Sequence, residues 1–104
     1  MLYDHHSAAP MLLHPSSKGF SMVTEYLLEN GAKPNRANQL GVTPLIAAAR
    51  RGKKDVVKVL LQHGADVNTV SRDTSRTALQ EAIEGNHTEI ITMLVKATAE
   101  VSVW

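Results

Sequence analysis

The sequence predicts an all-α fold, a solenoid of stacked helix-turn-helix units, and three observations carry that prediction. The chain repeats itself at an interval of 33 to 34 residues within its 104, the signature of an array of small structural units. Inside each interval the apolar residues recur at i, i+3 and i+4, one face of a helix. The composition is 43% hydrophobic but only 4% aromatic, so a core has to be built from Ala, Leu, Val and Ile, which suits closely packed helices.

The repeat is read from two pairs of segments. Leu27-Leu28-Glu29-Asn30-Gly31-Ala32-Lys33-Pro34-Asn35 returns 33 residues later as Leu60-Leu61-Gln62-His63-Gly64-Ala65-Asp66-Val67-Asn68, with five identities in nine positions. Thr43-Pro44-Leu45-Ile46-Ala47-Ala48-Ala49 aligns with Thr77-Ala78-Leu79-Gln80-Glu81-Ala82-Ile83 at an interval of 34, the extra residue falling in the polar stretch 71–75. Units are expected over about 5–37, 38–71 and 72–104, together forming one domain over 1–104.

The middle unit shows the logic. Thr43 is a good N-cap and Pro44 follows at the first helical position, where its missing N–H costs nothing. Leu45, Ala48 and Ala49 face inward until Gly52 stops the helix. A second helix carries Val56, Val57, Leu60 and Leu61 and ends at Gly64, which accepts the left-handed conformation just past a helix end. The third unit repeats the pattern with Leu79, Ala82 and Ile83, then Ile90, Ile91, Leu94 and Val95. Asn86-His87 takes its inter-helix turn, and Thr98 stands where the earlier units have a terminal Gly. The first unit keeps Val23, Leu27, Leu28 and Gly31 in its second helix, but Pro10 replaces the capping Thr and Pro15 falls where the middle unit has Ala48. A distorted first helix is expected, because proline clashes with the carbonyl four residues earlier unless the helix starts late. Val101, Val103 and Trp104 follow the last unit's apolar stripe, and Trp104 folding back, another repeat or another chain is expected to cover its end.

These residues resemble ankyrin repeats, whose shared pattern is a Thr-Pro-Leu-His-like helix start, a Gly-His turn, a Leu-Leu helix end and Gly-Ala-Asp-Val-Asn. The resemblance covers roughly residues 5–102 and is closest in the middle unit. There Ile46 and Lys53 stand where the family usually has His, while in the third unit Gln80 can replace the first imidazole and His87 keeps the second. The resemblance implies a non-catalytic module that binds another protein in the groove along its first helices and turn tips. Carried over by position, that groove takes in Gln39, Leu40, Val42, Arg50, Arg51, Asp73, Thr74, Arg76 and Glu84; in the first unit only Ser17 and Lys18 match, at the places of Arg50 and Arg51. The resemblance also marks Asn68 as a possible site for asparaginyl hydroxylase, with Asn35 second.

Composition narrows the chemistry. Eleven Lys and Arg against ten Asp and Glu give a net charge of +1, with no global field to gather phosphates. With no Cys there is no disulfide frame, thiolate nucleophile or Cys-based metal site. No secretory signal or membrane-spanning run is visible, so an intracellular setting, cytoplasmic or nuclear, is expected. Asn86-His87-Thr88 fits an N-glycosylation pattern but lies on the inter-helix turn of a chain with no visible export route. His5-His6 beside Asp4 do not form a closed metal site, His14, His63 and His87 are expected at surface or turn positions, and no metal site or cofactor is expected. Nucleophile, base and oxyanion donor are not marked together anywhere, and the glycines are scattered at turn spacing, with no phosphate loop.

The one charge run, Arg50-Arg51-Gly52-Lys53-Lys54, reads first as a solvated turn. As a binding feature it suits a partner with an acidic or apolar-acidic segment. Nucleic acid is not expected, because the run lacks aromatics for base stacking. Two alternatives stand beside the interaction module: a regulatory segment of a multidomain enzyme, and, ranked below it, a nucleic-acid-binding module using the Arg50 to Lys54 cluster.

Overall fold

The computed structural model describes residues 11–101, and the expectations on His5-His6, Pro10, Val103 and Trp104 lie outside them. Among the described residues there are six helices and no strands: α1 (Leu13–Lys18), α2 (Ser21–Glu29), α3 (Pro44–Arg51), α4 (Lys54–Gln62), α5 (Ala78–Glu84) and α6 (Thr88–Val101). Helices α1, α3 and α5, the inner helices, pack side by side in one row, α2, α4 and α6, the outer helices, in a second, and each repeat's two helices pack together between the rows. The result is the all-α stacked solenoid that the sequence predicts.

Local chemistry sets the helix ends. Thr43 is extended and its hydroxyl accepts from the Ile46 N–H at 3.2 Å, with Pro44 following. Thr77 makes a full capping box: its hydroxyl accepts from the Gln80 N–H, and Gln80 Oε1 accepts from the Thr77 N–H at 2.9 Å. The Gln80 amide thus closes its own helix start. Past α4, Gly64 is left-handed at φ +84°, as its place after the helix end demands. The third repeat has Thr98 at that place, and α6 runs on through it to Val101.

Proline shortens α1 rather than breaking it. The helix begins at Leu13 and lasts six residues, with no side-chain cap at Leu12. Pro15 is therefore its third residue, where no intrahelical partner exists for an N–H, and the ring meets no helical carbonyl. The late start keeps Pro15 and Ser16 buried against the next repeat.

The continuous core runs from Leu12 and Leu28 through Leu45, Ile46, Ala48, Val56, Val57 and Leu60 to Ala82, Ile90 and Leu94. Leu27, Leu61, Leu79 and Ile91 pack at its margin. Three expected core positions are exposed instead. Val23 is 48% exposed although its counterpart one repeat on, Val56, is fully buried; Ile83 is 56% exposed although Ala49, its counterpart one repeat back, is fully buried. Val95 is exposed as well. Sequence position is equivalent within each set, so the difference is the neighbour: these side chains sit on the outer sides of the first and last described repeats, where no described helix packs against them.

Candidate functional site

Two turn tips project between the helix pairs. In the first, Asn38 Oδ1 accepts from the N–H groups of Leu40 (2.9 Å) and Val42 (3.0 Å), an Asx-type closure that turns the chain into α3. In the second, Ser71 and Arg76 close the loop through a backbone bond of 3.1 Å, and Ser75 is left-handed at φ +59°. The extra residue of the third repeat is absorbed here. The tips are joined: the Arg72 N–H donates to the Leu40 carbonyl at 2.7 Å and the Arg72 guanidinium donates to the Gln39 carbonyl.

Below the tips lies an ionic network. Arg50, at the end of α3, donates to Glu81 Oε2 at 2.9 Å and to both carboxylate oxygens of Asp73 at 3.2 Å. The Thr74 hydroxyl donates to Glu81 at 2.7 Å and shares a 2.9 Å bond with Ser71. Arg76 approaches Glu81 at 3.9 Å and pairs with Glu84 at 3.2 Å. Burial alone would raise the Glu81 carboxyl, but bonds from Arg50 and Thr74, with the charges of Arg50 and Arg76, hold it below the ordinary carboxylate range. A Ser71 hydrogen bond and then Arg50 lower Asp73. Burial opposes the Arg50 charge, and its bonds to Glu81 and Asp73 outweigh that and raise it.

This geometry revises the expected groove. Val42 is 5% exposed and belongs to the core, because the Asn38 closure turns its side chain inward. Arg50 does not hold out a free guanidinium: it is the hub that ties the second tip to α5, together with Asp73 and Thr74. Glu84 pairs with Arg76, not Arg51. Gln39, Leu40 and Arg51 are exposed, and the Arg51 guanidinium has no ion-pair or hydrogen-bond partner among the described residues. In the first repeat, Ser17 donates to the His14 carbonyl at 3.2 Å, and Lys18 is exposed.

The basic run is likewise divided. Lys54 pairs with Glu89 at 2.7 Å, Arg50 is consumed in the network, and the half-buried Lys53 lies over Gly19. Two imidazoles do more than decorate the surface. The His87 Nε2–H donates to the Arg50 carbonyl at 3.3 Å, joining the inter-helix turns of successive repeats. His14 stands edge-on to Phe20, ring centroids 6.2 Å apart. Sequence reasoning missed Glu81. The available signal was a carboxylate at the place of Ala47, flanked by the core residues Ala78 and Ala82, where an acid needs a partner.

No described helix is long and apolar enough to cross a membrane. Two rows of helices, stacked repeat on repeat with projecting tips, define a helical solenoid repeat protein. A family model described as ankyrin repeats, in three copies, matches residues 6–103, and the chain belongs to the ankyrin-repeat family. The chain is 40% identical over 87 residues to the ankyrin repeat and KH domain-containing protein mask of Drosophila melanogaster, covering 83% of this chain and 2% of that one. It is 37% identical over 81 residues to alpha-latrocrustotoxin-Lt1a of Latrodectus tredecimguttatus, covering 77% and 6%. It is 35% identical over 80 residues to the E3 ubiquitin-protein ligase XBAT33 of Arabidopsis thaliana, covering 77% and 16%. The chain thus spans a small part of each relative's length. Ankyrin repeats are in general non-enzymatic protein–protein interaction modules.

Proposed function

We propose that the chain binds a partner protein through its turn tips and the exposed ends of its inner helices, and that the partner presents an acidic segment with an aliphatic neighbour. The observation that carries this reading is the division of labour among the charges. Arg50, Asp73, Thr74 and Glu81 hold the second tip against α5, and Arg72 ties it to the first. Around this fixed frame Leu40 is 52% exposed and Arg51 carries an unpaired charge. A guanidinium that can grip a carboxylate at two points and an exposed apolar anchor, both set on one rigid frame, are the chemistry of an interface hot spot. Gln39, Arg76 and Glu84 are its polar rim. The pairing of Arg50 and Lys54 with acids leaves little of the basic run for phosphates, which favours a protein over nucleic acid.

Affinity capture from cell extract with the wild type, the Leu40→Ala/Arg51→Glu variant and a Lys58→Glu/Lys96→Glu variant on the outer helices tests the site. Partners that depend on the first pair and ignore the second support it. Partners retained by Leu40→Ala/Arg51→Glu and lost with the outer-helix charges place binding on the other side. A second reading is that the module regulates an enzyme of which it is a part; it is supported by the likeness to a segment of a ubiquitin ligase. The mass of the full gene product decides between a free-standing module and such a segment.

A further inference from the structure

Away from the tips, on the row of outer helices, Glu25 and Glu29 of α2 meet His63 at the end of α4. One carboxylate oxygen from each Glu and one imidazole nitrogen lie within 4.8 Å of one another. The two acids stand one turn apart on the same helix face. His63 is the C-cap residue of α4, its backbone N–H held by the carbonyls of Val59 and Leu60 at 3.2 and 3.1 Å, so its ring is positioned by a fixed backbone. Glu25 and His63 are half-buried and Glu29 is exposed.

We propose that Glu25, Glu29 and His63 form a divalent-cation site, with Zn²⁺ the fitting ion, that clamps the first repeat to the second. Three features support it. The donor set joins one imidazole nitrogen to two carboxylates, a mixture that Zn²⁺ accepts, at about 2.0–2.2 Å per bond with water completing the shell. Tetrahedral bonds of that length put donors about 3.4 Å apart, so closing in from 4.8 Å takes only small rotations of flexible Glu side chains. Among the described residues none of the three has an ion-pair or hydrogen-bond partner for its side chain, so two like charges stand one turn apart without a cation. The repeat itself does not dictate the set: the corresponding positions at the next junction carry Lys58, Gln62 and Ala97. His63 is 34 residues beyond Glu29, so no short helical spacing marks the set in the sequence.

The site draws on two repeats, so an ion bound there favours the folded stack over the unfolded chain. The test uses the full chain in a His5→Ala/His6→Ala background, which removes the adjacent terminal imidazoles as competitors. ZnCl₂ binding is measured by calorimetry at neutral pH, and thermal unfolding is followed with and without zinc. One equivalent is expected, with a zinc-dependent rise in melting temperature. Glu25→Gln/Glu29→Gln and His63→Ala should each weaken binding at least tenfold and abolish that rise. Glu29→Gln alone, isosteric and exposed, keeps the fold and should still lower affinity severalfold. Loss of all binding on removal of His5 and His6 overturns the proposal, as does binding that the Glu29 and His63 variants leave unchanged.

Discussion

Arg50 and Glu81 meet at 2.9 Å across the junction of α3 and α5, and the two ends of the pair are unequally wet: the side chain of Arg50 is 32% exposed and that of Glu81 is 5% exposed. The pair is therefore asymmetric under mutation. Arg50→Ala strands a buried carboxylate with Thr74 and a distant Arg76, and is expected to cost about 3 kcal/mol. Glu81→Ala leaves a partly hydrated cation that keeps Asp73, and is expected to cost about 1 kcal/mol. The double variant, which restores the Ala that the middle repeat has at position 47, should be more stable than Arg50→Ala alone. Urea unfolding of the four proteins checks the cycle.

The same network predicts the acid limb of stability. Glu81 and Asp73 are both held below their ordinary values, so the unfolded chain binds more protons than the folded one as pH falls toward the carboxylate range. Their contribution is complete above an unfolded value of roughly 4 and is lost as pH drops through the lower folded values. Melting temperature is expected to hold steady from roughly pH 5 to 7 and to fall below roughly pH 4. The fall should be shallower in Glu81→Gln, whose side chain cannot titrate.

The fold was legible because each repeat writes its own helix boundaries: Thr43-Pro44 and Thr77 open helices, and Gly52 and Gly64 close them. Pairwise consequences of stacking were not. Val23 and Val56 read identically along the chain and differ only in whether a neighbouring repeat covers them. Arg50 reads as a free cation until the second tip folds back, because Asp73 and Glu81 are 23 and 31 residues away and only the stack brings them within reach. Val42 reads as a tip residue until the Asn38 side chain turns the backbone under it.

The inter-helix turns offer a clean test of backbone conformation. Gly52 is left-handed at φ +72°, and a Cβ there would lie 2.7 Å from the His87 ring. Gly52→Ala pays both strain and clash and is expected to lose about 2 kcal/mol. Asn86 occupies the equivalent place in the third repeat at φ +60°. Asn86→Gly should be nearly neutral, since it relieves a left-handed side chain while freeing the unfolded backbone. Thermal unfolding of both variants checks the contrast.

Leu40 and Val42, two residues apart, should separate binding from stability. Val42→Ala removes methyl groups from the core and is expected to cost about 2 kcal/mol of stability. Leu40→Ala alters an exposed tip and should leave the melting temperature within about 1 °C, consistent with a surface change. If Leu40→Ala weakens capture of a partner while unfolding normally, its role is contact rather than folding.

The two Asn residues that resemble hydroxylase targets are placed differently, and the difference orders them. Asn35 Oδ1 accepts from the Asp66 N–H at 2.6 Å, bracing the first repeat against the second. The equivalent brace from Asn68 would need a free N–H at position 100, but α6 runs through that position because Thr98 does not end the helix, and the N–H there serves the helix itself. Asn68 uses its backbone N–H on Asp66 Oδ1 at 2.8 Å, and its exposed side chain lines an open groove with Leu61, Val67 and Met93. Hydroxylation at the Asn68 side-chain carbon therefore meets no brace to break, whereas an enzyme acting on Asn35 must first release Asp66, at a cost of about 1 kcal/mol. Incubating the chain with an asparaginyl hydroxylase should add one oxygen to the peptide containing Asn68 before any appears on that containing Asn35. Asp66→Pro, which removes the donor to Asn35, should narrow the gap relative to Asp66→Ala, which keeps that N–H and likewise lacks the carboxylate that holds Asn68. Oxygen on Asn35 alone, or on neither residue, would show that the exposed amide of Asn68 is not a substrate.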